Sequence, residues 1–214
     1  MWLAALVLVL SEPKAELWAG NQVLTGEHSL GILGSVKTRS DSYVLAHVEY
    51  TAEGVRLTQW ACDVVMAKAG GTDTALNSGV APRLPVTRIE FLNQPDGSLL
   101  AKPWTSGWDA TDHDGDGLPG VTINVDAAMC DGKLFIASTA YSEAHANSVA
   151  RGMQGDVTVR VSQKILGASN MCLGIAASDS QDQLAGRFAY VPVPSSTTCA
   201  SFAPADWPVR ASPP

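Results

Sequence analysis

Period two dominates the hydrophobic pattern of this chain. Val121, Ile123 and Val125 alternate with Thr122, Asn124 and Asp126, as in a strand with one buried face. Val157, Val159 and Val161 alternate with Thr158, Arg160 and Ser162 in the same way. So do Val44, Ala46, Val48 and Tyr50 against Leu45, His47 and Glu49, and Ile89 and Phe91 against Arg88 and Glu90. Trp60, Cys62, Val64 and Met66 share one face of a further run, and Phe188 and Tyr190 one face of another. Tight-turn chemistry separates the runs. Glu53-Gly54, Asp96-Gly97 and Asp131-Gly132 supply the positive φ and the side-chain hydrogen bonds that hairpins use. Residues 69–82, rich in Gly, Thr, Asn and Ser, form a loop in this pattern. Residues 142–151 fit either a short helix capped by Ser142 or an extended edge.

This pattern predicts an all-β protein, either an antiparallel β-sandwich or a closed β-barrel of about eight or nine strands. With 214 residues one β domain is expected. Its bounds are 20–194, with a Pro-rich C-terminal tail over 195–214. The stretch from Pro192 holds six prolines and no periodicity, so the tail is expected on the surface.

The N-terminus breaks the alternation. Residues 2–10 are uniformly apolar, too short to span a bilayer at about 20 residues and of signal-peptide length. No Lys or Arg precedes the run, and Ala15 and Ala19 are the small residues where a cut would fall. Residues 1–19 are therefore expected to be a signal segment, with a mature N-terminus near Glu16 or Gly20. The rival is a buried N-terminal strand.

Composition narrows the function classes. Charged residues make up 16% and the formal net charge is −7. No Lys/Arg cluster exists, so neither a nucleic acid nor an anionic membrane is expected as a partner. Four cysteines, Cys62, Cys130, Cys172 and Cys199, form no C-x-x-C pair. In an exported chain an even count implies two disulfides in one of three pairings. Chain position favours Cys172 with Cys199, leaving Cys62 with Cys130.

One stretch carries specific chemistry. Residues 109–120 pack four aspartates and three glycines into twelve positions. Asp112, Asp114 and Asp116 fall at i, i+2 and i+4, and Gly117 follows. Alternate carboxylates in a tight loop can turn toward one point, and like charges so close call for a counter-ion. A hard cation such as calcium takes about six to eight oxygens. The D-x-D-x-D-G spacing resembles the first half of an EF-hand loop and the Asp-rich repeats of thrombospondin type 3. That resemblance covers about a dozen residues. It implies a Ca²⁺ site on Asp112, Asp114 and Asp116 with the Leu118 carbonyl next in order. Counted from Asp112, Ile123 stands where an EF-hand has its bidentate Glu, and Gly120 offers no side chain. The expectation is therefore a loop-type calcium site feeding a strand, completed by Asp109 or Asp126.

No nucleophile elbow, zincin helix, P-loop or dinucleotide fingerprint is present, and His28, His47, His113 and His145 are scattered. No catalytic residue is assigned. The expected function is an exported, non-catalytic, calcium-binding β-domain, secreted or periplasmic, that binds a protein, glycan or small ligand. The alternative is a secreted hydrolase or small-ligand barrel with a site assembled from distant strands. A hollow core would favour the alternative, and a filled core with exposed aromatics the first.

Overall fold

A computed structural model describes residues 16–29, 35–77, 79–127 and 130–212. Among these described residues eleven strands run in chain order: β1 (Glu16–Ser29), β2 (Ser35–Thr51), β3 (Gly54–Met66), β4 (Thr72–Leu76), β5 (Thr87–Asn93), β6 (Ser98–Ala101), β7 (Trp104–Trp108), β8 (Val121–Ala127), β9 (Gly132–Val149), β10 (Gly152–Ala168) and β11 (Ser180–Val193). A short helix, α1 (Met171–Ala176), separates β10 from β11. Every ladder is antiparallel.

Eight of these strands close a ring in the order β1–β2–β3–β5–β6–β9–β10–β11, because β11 pairs with β1 and β9 pairs with both β6 and β10. The all-β expectation holds, and its barrel alternative is the one realised. The remaining strands extend the sheet. Along one edge β9 pairs in turn with β8, β7 and β6, while its other edge is fully occupied by β10. β4 then adds to β8. The result is a closed ring with a flap of β8 and β4 raised from its wall.

An eight-stranded barrel is just wide enough for side chains to fill it, and here they do. Trp18, Val44, Ala46, Val48, Leu57, Phe91, Met153, Val157, Phe188 and Tyr190 form one buried cluster. Small residues make room for large ones: a Cβ on Gly20 would lie 2.3 Å from the Tyr190 ring. Tyr190 is buried, which pushes its hydroxyl pKa upward, and that hydroxyl donates to Gln59. At about 25 cal/mol per Å² of apolar surface, each large side chain in this cluster contributes about 1.5–3 kcal/mol.

Several local expectations change. Residues 142–149 are strand, because Ser142, Ala144 and Ala146 point inward while Glu143, His145 and Asn147 point out. The stretch 69–82 contains β4 and the start of a 3₁₀ turn at Ala81–Arg83. The face shared by Trp60, Cys62, Val64 and Met66 is split by a bulge. Tyr43 pairs with Asp63 but Val44 with Ala61, so Cys62 is the extra residue and the alternation reverses there. Trp60 and Cys62 pack outside the ring, while Met66 packs beneath the flap.

The disulfides are Cys62–Cys199 and Cys130–Cys172, not the expected pairs. Cys172 sits on α1, and Cys130 lies between β8 and β9, so the exit of the flap strand β8 is joined to α1. Cys199 lies where the tail crosses the outer face of β2 and β3. The tail is no loose extension. Phe202 and Trp207 cover Leu17, Tyr43 and Leu45, and the Trp207 indole donates to the Gly20 carbonyl. Two disulfides fit an oxidising, extracytoplasmic setting, and among the described residues no helix is long and apolar enough to cross a membrane.

Residues 1–15, including the apolar run at 2–10, lie outside the described residues. Leu17, Trp18 and Ala19 are buried in β1. Of the two expected N-termini, only the one at Glu16 leaves that strand whole.

Candidate metal site in the acidic loop

The loop between β7 and β8 is framed from both ends. The Trp108 indole donates to the Ile136 carbonyl at 2.9 Å, fixing where β7 stops. Two backbone bonds, His113 N–H to Gly120 O and Gly120 N–H to Ala110 O, both 3.1 Å, close the loop's neck. Gly115 and Gly117 take φ of +75° and +83°, the left-handed region that glycine enters without strain.

Within that frame the carboxylates take different roles. Asp112 is a hub for main-chain amides, accepting from Gly115 at 2.6 Å, Gly117 at 2.8 Å and Asp116 at 3.3 Å. Those amides, Gly117 foremost, hold its pKa below the ordinary carboxylate value. Asp116 accepts from the Leu118 amide at 2.9 Å and from the Thr122 hydroxyl at 2.7 Å. Asp114 is buried, with 7% of its surface exposed. Its Oδ2 accepts from the Thr122 amide at 2.8 Å, and its Oδ1 has no hydrogen-bond partner.

One oxygen from each of Asp112, Asp114 and Asp116 lies within 4.8 Å of the other two. That cluster can hold a metal ion. The buried, unpartnered Asp114 Oδ1 is the oxygen that such an ion would satisfy, since a buried acceptor left unmade costs about 1–3 kcal/mol and more when charged. An all-carboxylate donor set selects hard cations over soft ones.

The other expected ligands stand elsewhere. Asp109 lies outside the cluster. It accepts from the Thr111 amide at 2.8 Å and contacts the His113 ring at 3.0 Å, and these bonds, the Thr111 amide first, hold its pKa at about 2. Asp126 is exposed near the far end of β8, opposite Asp73 of β4. Leu118 enters the observed network through its amide. Ile123 is 8% exposed and packs in the flap's apolar cluster, which is why no carboxylate stands there. Trp104 and Trp108 pack against the ring and flap clusters respectively.

Two residues of the site were not found from the sequence. Thr122, 1% exposed, orients two of the three carboxylates. Arg83, thirty-one positions before Asp114, donates to the Asp114 carbonyl at 2.7 Å. Thr122 reads as an outward strand residue by periodicity, and nothing local marks Arg83.

No protein-family model matches the chain, and neither does any curated protein or solved structure.

Proposed function

We propose that the protein is an exported, non-catalytic β-barrel module acting in binding or surface interaction, with Ca²⁺ held by Asp112, Asp114 and Asp116 as a structural staple. The Leu118 carbonyl and water complete the shell. The buried, unpartnered Oδ1 of Asp114, on a carboxylate that clusters with those of Asp112 and Asp116, carries this reading. The filled barrel core supports a binding surface on the outside over a ligand chamber within. Fewer than four protein carboxylates set an expected Kd of about 10⁻⁴–10⁻³ M, the range of extracellular modules. Isothermal titration with CaCl₂ tests it. Saturable binding that Asp114→Asn abolishes is the expected result; no heat above dilution at millimolar calcium would refute it. Mg²⁺, which demands octahedral geometry, should compete poorly.

The small-ligand alternative has one observation in its favour. A groove of about 290 Å³ on the outer wall lies between Asn147, Gln154, Asp156, Arg187 and Arg210. A thermal-shift screen of small polar ligands, repeated on Arg187→Ala, tests that alternative.

A further inference from the structure

The ring and the flap meet along a seam that no hydrogen-bond ladder closes. β3 is paired on both edges only as far as Gln59, which faces Thr87 of β5. From Trp60 to Met66 its ladder is with β2 alone. β4 pairs with β8 and, among the described residues, with no other strand. Side chains cross the gap instead. Met66 of β3 packs with Leu76 of β4, Val80 and Leu84 against Val121, Ile123 and Val125, and the Thr74 hydroxyl meets the Met66 sulfur at 3.7 Å.

Beside the Thr74–Met66 contact, the acidic loop ties the turn that leaves β4 to the start of β8. The 3₁₀ turn at Ala81–Arg83 follows β4 and sends the Arg83 guanidinium to the Asp114 carbonyl. The side chain of that same Asp114, with Asp116, is tied to Thr122 at the start of β8. Asp114 thus joins the turn to the flap through its two ends, main chain to Arg83 and carboxylate to Thr122. Without a cation, three carboxylates repel one another and a buried oxygen stays unmade.

We propose that the cation binding these three aspartates acts as a lock on the seam, so that cation occupancy controls local opening between β3 and β4. This rests on the loop being an ion site. Relaxing the loop moves the Asp114 carbonyl away from Arg83. The 3₁₀ turn is then released, and with it the side-chain packing over Met66. The closed ring below Gln59, laddered on every edge, is unaffected. Local openings of this kind are the low-energy end of a protein's stability spectrum.

Hydrogen–deuterium exchange of the full chain with CaCl₂ and with chelator tests it, alongside calcium titration of the same samples. Calcium is expected to slow exchange about tenfold or more in residues 60–66, 72–76 and 79–84 as well as 112–122, and to leave 144–146 and 186–190 unchanged. In Arg83→Gln the slowing at 112–122 should persist while that at 60–66 and 79–84 is lost. Calcium binding with slowing confined to 112–122 would overturn the lock and leave the ion site standing. Uniform slowing across the ring would also overturn the lock, since it marks global stabilisation. Absence of calcium binding would remove the ion site itself. The wild-type comparison decides the matter even where the variant fails to fold.

Discussion

The ring and the flap solve the same problem with different means. In the ring, each strand has neighbours on both edges and sends alternate side chains into one continuous apolar cluster. The flap has two strands, an edge at β4 that pairs with no other strand among the described residues, and a far smaller cluster around Val121, Ile123, Val125, Ile136 and Leu173. What it lacks in ladder and core it makes up in cross-links: the Cys130–Cys172 disulfide, the Asn124–Asn77 amide pair at 2.7 Å and the carboxylate loop. A closed sheet needs no polar clamp, because closure removes its edges. An appended strand pair does, and in this chain the carboxylate cluster sits in the loop that leads into β8.

The comparison is most severely tested inside the ring. Phe91 is 2% exposed and packs against Phe188 with centroids 6.0 Å apart. Phe91→Ala should cost about 3–5 kcal/mol and lower the midpoint of the whole unfolding transition, followed by far-ultraviolet circular dichroism. A loss below about 1 kcal/mol would mean that the ring is not the stability core. Replacing Cys130 and Cys172 together by Ser opens a span of 42 residues, worth up to about 4 kcal/mol on the chain-entropy model. Its effect should be regional, with faster exchange in β8, β4 and α1 and little change in β1 or β11. A uniform loss would make ring and flap one cooperative unit.

Smaller effects separate the parts of the loop. Thr122→Val keeps side-chain shape but removes the hydroxyl that donates to Asp116. It should cost about 1 kcal/mol and weaken calcium binding by up to about tenfold, as loss of a ligand-orienting group does. Unchanged affinity would show that Thr122 does not position Asp116. The smallest effect concerns acid. Asp109 has a folded pKa of about 2 against an ordinary 3.8, so its bonds to Thr111 and His113 favour the folded loop above the ordinary value and are lost as pH falls toward 2. Carboxyl chemical shifts followed between pH 5 and 1.5 should give a midpoint near 2 for Asp109. A midpoint near 3.8 would place its carboxylate in solvent without those partners.

Much of the ring was legible because barrel strands keep a strict inward–outward alternation. Val157, Val159 and Val161 announce it plainly. Residues 142–149 do not, since their inward positions are Ser142, Ala144 and Ala146. Ala144 and Ala146 share the core cluster with large rings such as Phe91 and Phe188, and Ala in sequence reads as helix-former before strand-former. The bulge at Cys62 was illegible for another reason: a one-residue slip leaves no local mark, yet it sends every later side chain to the other face. The disulfide pairing depends on where the tail lands, and the tail is positioned by Trp207 and Phe202 on the outside of β1 and β2, a contact between distant parts of the chain. At the acidic loop the three clustered aspartates were legible from spacing alone. Arg83 and Thr122 were not, because one arrives from a separate turn and the other serves from within a strand.

The central claim is that the Asp112–Asp114–Asp116 cluster is completed by calcium. Thermal melting of wild type and Asp114→Asn, each with CaCl₂ and with chelator, tests it most directly. Asn keeps an acceptor for the Thr122 amide while removing the charge that calcium would bind. Calcium at a hundredfold excess over Kd should stabilise wild type by about 2.7 kcal/mol and leave Asp114→Asn unmoved, with the variant melting at or above wild type in chelator. Identical melting of wild type in calcium and in chelator would contradict the claim and leave the loop an acidic turn.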